Sequence, residues 1–183
     1  MSAPTTSTPH AHRPGRVVVA ILALNGLAAL AWAAFARPDA RLVYNPSDSV
    51  PVGWYRIEPA RSPRVDDIVL TTLPAEATAL AARRGYLPAH IPLLKRVGAV
   101  APQHVCIEGG SVRIDGKPVA AVLRADRRNR PLPSWTQCRP LAKDELFLLG
   151  VTNPASFDSR YFGPVGAAAV LGVARPVWLA PRP

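Results

Sequence analysis

The stretch "SDSVPVG", Ser47 to Gly53, places two hydroxyls two residues apart just ahead of a proline–glycine turn. Serine is common before turns. Here, however, Pro51 fixes φ two residues beyond Ser49, and Gly53 permits close approach of another backbone, such as an extended substrate. Ser49 is therefore a candidate nucleophile. Its own backbone N–H and the Ser47 hydroxyl are candidate donors to a developing oxyanion.

A nucleophilic serine needs a base. His10 and His12 lie in the amino-terminal tail, and His90 and His104 flank a strand with no recurring ligand spacing. No HExxH, P-loop or glycine-rich dinucleotide fingerprint occurs, so neither metal nor cofactor is expected. The remaining base is a neutral lysine, which must be desolvated to lose its proton. The chain has three lysines. Lys117 follows a turn glycine, and Lys143 sits beside Asp144 and Glu145, which hold it charged. Lys95 lies in "PLLKRVGAV", where a strand puts Leu93, Lys95 and Val97 on one face. That apolar face carries the amine inward; the same pattern also fits a lysine snorkelling at a sheet edge. A third polar stretch, "SFDSRYFGPV" (Ser156 to Val165), offers Ser156 to a buried amine. It also sets Asp158 and Arg160 two residues apart, close enough to pair.

The elements that must position these groups are mostly strands. With 49% hydrophobic residues a core is expected, and 21 prolines disfavour a helical bundle. Strands are expected over 53–59, 66–73, 91–100 and 145–150. A helix is expected over 74–86, opened by Pro74 and closed by Gly85. Gly109-Gly110 and Asp115-Gly116 mark two consecutive hairpins within 104–120. "DRRNRPLP" (126–133) is a charged loop. Residues 167–179 form a last strand, with a helical reading open for their alanine-rich start.

Val17 to Ala36 is an uncharged run of about 30 Å as a helix, enough to cross a hydrocarbon core. Residues 1–16 are expected to be a disordered cytoplasmic tail, 17–36 a transmembrane helix, and 37–183 one β-rich domain outside. A cleaved signal peptide, ending at the small residues around Ala36, is the alternative for the run. Ser49 lies thirteen residues past it, which keeps it near the bilayer at about 3.5 Å per residue. Val50, Val52 and Trp54 are expected to dip into the interface, where tryptophan is favoured. The net charge of +10 suits an anionic leaflet. No nucleic-acid recognition motif accompanies it, so no nucleic-acid partner is expected. Cys106 and Cys138 fit no CxxC metal spacing; outside the cytoplasm they are expected to pair, two buried free thiols being the alternative.

Taken together, a Ser-x-Pro-x-Gly turn after an apolar helix, a lysine in an apolar strand and "SFDSRYFGPV" near the end resemble the type I signal peptidases. More narrowly, "NPSDSVPVGWYRI", "RGYLPAHIPLLKRVGAV", "VRIDGKPVA", "RPLPSWTQC" and "FLLGVTNPASFDSRYFGPV" resemble the TraF-type conjugative transfer peptidases of that family. The resemblance implies a signal-peptidase/LexA-like β catalytic domain with one short helix, and a serine–lysine dyad. Ser49 would be the nucleophile and Lys95 the general base. Ser47 would support the oxyanion hole and Ser156 would orient the amine. Asp158 and Arg160 would hold the active-site loop, with Asp158 taking part in catalysis in some members. It further implies attachment to the bacterial inner membrane with the domain in the periplasm. The implied substrate is a pilin precursor or other signal-peptide-bearing protein, cut by hydrolysis or joined into a ring. Where general signal peptidases carry Gly-Asp-Asn, this chain reads Gly150-Val151-Thr152-Asn153, and it lacks their extra β-domain. A general signal peptidase and a non-catalytic envelope module remain the alternative readings.

Overall fold

The computed structural model describes residues 14–35, 42–59, 62–150 and 152–181, and the chain divides into two units, residues 1–39 and 40–183. The first contains helix α1 (Pro14–Phe35), whose side chains from Gly15 to Ala34 are exposed along their whole length. Its 22 residues span about 33 Å. It is long and apolar enough to cross a membrane. The helix starts at Pro14, so residues 14–16 belong to it and not to a disordered tail. The rest of that tail, and Ala36, lie outside the described residues.

The described residues of the second unit form eleven strands and two short α-helices. In chain order they are β1 (Leu42–Asn45), β2 (Gly53–Glu58), β3 (Ile68–Thr71), α2 (Ala75–Arg84), β4 (Leu93–Val100), β5 (His104–Glu108), β6 (Ser111–Ile114) and β7 (Lys117–Ala121). There follow β8 (Arg139–Pro140), β9 (Glu145–Leu149), α3 (Ser159–Phe162), β10 (Val165–Gly166) and β11 (Val170–Leu179). A seven-stranded sheet runs β1-β2-β11-β3-β4-β9-β10, and a four-stranded sheet runs β7-β6-β5-β8. Every pairing is antiparallel. The unit is mostly β, as its prolines and turn signals imply.

The centre of the large sheet is formed by the strands richest in β-branched and aliphatic residues. Val69, Val97 and Leu148 are fully buried there, each side chain contributing about 1.5–3 kcal/mol. Val105, Val112, Trp135 and Phe147 close the space beside the small sheet. Both hairpins form as read. Gly109 and Gly110 carry φ of 57° and 76°, and Asp115 and Gly116 carry 50° and 79°. Two successive positive φ values match the right-handed twist of the flanking strands. Helix α2 ends at Gly85, whose left-handed φ of 70° lets the chain turn back and close the last carbonyls. Cys106 and Cys138 are joined as a disulfide, tying β5 to the segment ahead of β8.

Several expectations are corrected. The strand read from 66 begins at Ile68, because Asp66 adopts a left-handed φ of 74°. A second helix, α3, follows Asp158, a one-turn element too short to leave a periodic pattern. The alanine-rich start of 167–179 is a 3-10 turn over Ala167–Ala169, and the strand follows it. Val50 is fully buried against Tyr55 and Leu70 and faces no interface, although Trp54 is exposed. Gly53 receives this chain's own backbone rather than a substrate. A Cβ there would stand 2.1 Å from the carbonyl oxygen of Trp178 on β11.

Candidate active site

The serine turn is shaped by one side chain. Asn45 ends β1 and is buried. Its Nδ2 donates to the carbonyls of Ser47 at 2.7 Å, Val50 at 3.0 Å and Pro51 at 3.2 Å. Its Oδ1 accepts from the Ser47 N–H at 3.2 Å and the Ser47 hydroxyl at 2.8 Å. Amide nitrogen and oxygen together satisfy a turn whose own backbone groups point inward. Tyr55 donates its hydroxyl to the Pro51 carbonyl at 2.6 Å, and buried Val50 anchors the turn from below. Ser47 and Ser49 Oγ stand 2.9 Å apart. Because Ser47 donates to Asn45, the proton between the serines belongs to Ser49.

Asp48, between the two serines, is held from across the cavity. Its carbonyl accepts from Thr152 Oγ1, and its Oδ1 accepts from Asn153 Nδ2 at 2.7 Å. The segment after Gly150 therefore clamps the serine turn through Thr152 and Asn153.

Lys95 sits mid-strand on β4, with Val69 of β3 opposite, and is 4% exposed. The desolvated reading of its strand face is correct and the snorkelling one is not. Its Nζ donates to Ser156 Oγ. Burial is the largest influence on the amine and pushes its pKa from 10.5 down to about 8; Asp158 and Asp48 pull it back up, while Arg160 pushes it further down. Ser156 reaches the lysine because Gly150 has no side chain. A Cβ there would lie 2.5 Å from Ser156 Oγ.

Behind Ser156 stands a closed ion pair. Asp158 and Arg160 are 0% and 2% exposed. Asp158 accepts from the Gly150 N–H at 2.7 Å, from Arg160 Nε at 2.7 Å and from Arg160 Nη2 at 2.8 Å. Arg160 spends its other donors on the carbonyls of Ala121 at 2.7 Å, Pro154 at 2.8 Å and Ser156 at 2.9 Å. All five guanidinium N–H groups are thus used, and the loop carrying Ser156 is fixed from three sides. The Asp158 carboxylate also caps α3 by accepting from the Arg160 N–H at 3.2 Å.

Ser47, Ser49, Lys95 and Ser156 line one cavity of about 530 Å³. Asp158 and Arg160 stand behind that wall, where they hold Ser156. No hydrogen bond joins Ser49 to Lys95 among the described residues: the serine bonds Ser47 and the lysine bonds Ser156. Cys106 and Cys138 lie elsewhere, on the small-sheet side. Sequence reasoning missed Asn45, Asp48, Thr152 and Asn153. The Asn-Pro-Ser signature of a side-chain-stabilised turn pointed to the first; the others act across more than 100 positions and leave no local trace.

Residues 15–179 match the family described as "Signal peptidase, peptidase S26". The chain belongs to that family and is a serine peptidase. Among its relatives, the plasmid transfer protein TraF of Escherichia coli is 32% identical over 170 residues, covering 88% of this chain and 92% of the relative. The probable conjugal transfer protein TraF of Sinorhizobium fredii is 37% identical over 143 residues, covering 73% and 74%. A crystal structure of a signal peptidase I from Enterococcus faecalis V583 aligns with a TM-score of 0.39 at 21% identity, covering 62% of this chain and 97% of that one.

Proposed function

We propose that this chain is a membrane-anchored endopeptidase of conjugal transfer, with Ser49 as nucleophile and Lys95 as general base, acting on a propilin or other exported precursor. The observation that carries the proposal is the Lys95 amine, buried at 4% exposure on the wall of the cavity that also holds Ser49, where burial lowers its pKa to about 8. The TraF relatives support the conjugal setting.

In the resting site Ser49 donates to Ser47, so catalysis requires its hydroxyl to turn to the lysine when substrate enters. Catalytic hydrogen bonds commonly tighten only in the substrate complex. Ser49 Oγ then attacks the scissile carbonyl carbon while Lys95 Nζ takes its proton. The oxyanion is met by the Ser49 N–H and by the Ser47 hydroxyl, released from Asn45. As the C–N bond breaks, the Lys95 ammonium returns the proton to the leaving amine, and an acyl ester remains on Ser49. Water delivers a linear product; an amino group of the substrate delivers a ring. Ser156 holds the amine toward the cavity throughout.

Helix α1 supports membrane attachment. Tyr44, Trp54 and Trp178 also stand in register across β1, β2 and β11, each 42–55% exposed, with the first two rings 5.2 Å apart. Such an aromatic row suits a headgroup region. In this reading the domain lies in the periplasm against the inner membrane, in the company of its substrate.

Ser49→Ala, expressed with a candidate pilin precursor, leaves the precursor uncut while the protein stays folded. Intact mass of the product made by the native enzyme tells a linear chain from a ring lighter by one water. Full processing by Ser49→Ala refutes the dyad.

A further inference from the structure

The cavity that holds Ser49 and Lys95 extends to the loop read from sequence only as charged. Five basic side chains line it against two acids, and four of the five are arginines: Arg84, Arg127, Arg128 and Arg130. The loop is built, not merely polar. Ala125 bridges Pro131, the Asp126 N–H donates to the Arg130 carbonyl at 3.0 Å, and Leu132 N–H donates to Arg124 at 2.9 Å. Asn129, at a φ of 56°, turns the tip.

The arginines divide into two kinds. Arg130 Nε donates to Asp126 at 2.7 Å and its guanidinium lies over the Tyr86 ring at 5.4 Å. Arg84 donates to the Pro131 carbonyl at 2.8 Å and stands 3.8 Å from Asp126. Asp126 is saturated besides, accepting from the Tyr86 hydroxyl and from the N–H groups of Arg128 at 2.9 Å and Arg130 at 3.0 Å. The one carboxylate of the loop is therefore consumed in holding it shut. Arg127 and Arg128, at the tip, have no ion pair and no side-chain hydrogen bond among the described residues. Two exposed guanidiniums without a counter-ion among the described residues, on a braced hairpin that lines the same cavity as apolar Leu132, Phe157 and Tyr161, each offer a free N–H fork to a carboxylate.

We infer that Arg127 and Arg128 form a subsite for a carboxylate of the peptide substrate, borne by an acidic side chain or by the chain end. The inference rests on the proposed peptidase function, in that the cavity must be the substrate cleft. A solvated charged loop would leave the two arginines indifferent to the peptide. A substrate subsite makes them discriminate.

The test uses the full chain in detergent and fluorescein-labelled peptides with an Ala-Xaa-Ala core, otherwise neutral. One series carries a single Glu, or Gln in its place, moved stepwise to either side of the core. A second series ends at stepwise distances in a free carboxyl or an amide. The expected result is that kcat/KM at one placement favours the carboxylate about five- to tenfold over its neutral twin. In the Arg127→Gln/Arg128→Gln variant that ratio falls to about one. Lysine at both positions retains only part of it, and Arg128→Glu reverses it toward a peptide carrying Lys in place of the Glu. The series that responds tells side chain from chain end. The same peptides are bound to Ser49→Ala and followed by anisotropy. Carboxylate-dependent binding without cleavage by the native enzyme leaves the subsite standing and removes the peptidase reading. Cleavage and binding that ignore the carboxylate at every placement, in both series, overturn the subsite. So does a double variant that changes only binding to phosphatidylglycerol vesicles, which would reassign the fork to a lipid phosphate.

Discussion

Replacing Lys95 by Met separates the chemistry of the amine from the stability of the fold. Methionine nearly matches lysine in length and carries no charge. The native amine is held at about 8 rather than 10.5, a difference of about 2.5 pH units at about 1.4 kcal/mol each. Below pH 8 the amine is protonated in both folded and unfolded chains, and the folded state carries the whole net cost of burying the charge, about 3.5 kcal/mol. Between 8 and 10.5 the folded chain has released its proton and the unfolded chain has not, so native stability rises with pH across that window. Above 10.5 both forms are neutral and the cost is gone. Lys95→Met removes the cost at all pH values but forfeits the Ser156 hydrogen bond, worth about 1 kcal/mol. The variant is therefore more stable than the native chain by about 2.5 kcal/mol at pH 7. That corresponds to roughly 5–10 °C in melting temperature for a domain of this size. Its advantage disappears by about pH 10.5. Thermal melts of the full chain in detergent, at intervals from pH 6 to 10.5, measure this directly. Peptide cleavage supplies the other half: native kcat/KM climbs about tenfold per pH unit below 8 and levels above it, while the variant stays at background. A methionine variant less stable than the native chain at pH 7, or one whose advantage is the same at pH 7 and 10, would show that the amine is not desolvated.

Two further perturbations probe the supports of the site. Asp158→Asn leaves the Arg160 guanidinium buried without its counter-charge and loosens the loop that holds Ser156. It is expected to lower stability by about 3–5 kcal/mol in urea melts, and a loss under 1 kcal/mol contradicts the closed ion pair. Cys106→Ser/Cys138→Ser opens a loop of 32 residues' separation and is expected to cost about 3–4 kcal/mol. Reducing agent should lower the native melting temperature and leave that of the double variant unchanged.

Much of the site was legible because its signals are local. Lys95 stood out by elimination among three lysines and by the period-2 apolar face of β4, and it is buried. Ser47 and Ser49 were marked by their turn, and Ser156, Asp158 and Arg160 by short spacing that a one-turn helix and its cap preserve. Both hairpins followed from residues that tolerate positive φ. The misreadings arose where distant chain decides. Gly53 was read as an opening for substrate, whereas β11, more than 120 residues on, fills that space. Val50 looked like an interfacial residue because its alternation says only which face it takes, not what covers that face. Asn153 and Thr152 were seen as a departure from Gly-Asp-Asn, with no hint that they grip Asp48.

The sequence by itself determined the chemical vocabulary of this protein: an apolar helix, a β-rich unit, a serine in a constrained turn and an amine destined for burial. These follow from side-chain polarity and backbone preference, which act over a few residues. Tertiary structure alone decided that the amine rests on Ser156 rather than on Ser49, that a threonine and an asparagine clamp the serine turn, and that two arginines, unpaired among the described residues, line the same cavity. Such facts depend on which strands become neighbours. Strand pairing is settled by the joint burial of the whole sheet, a sum over distant residues that no short stretch contains.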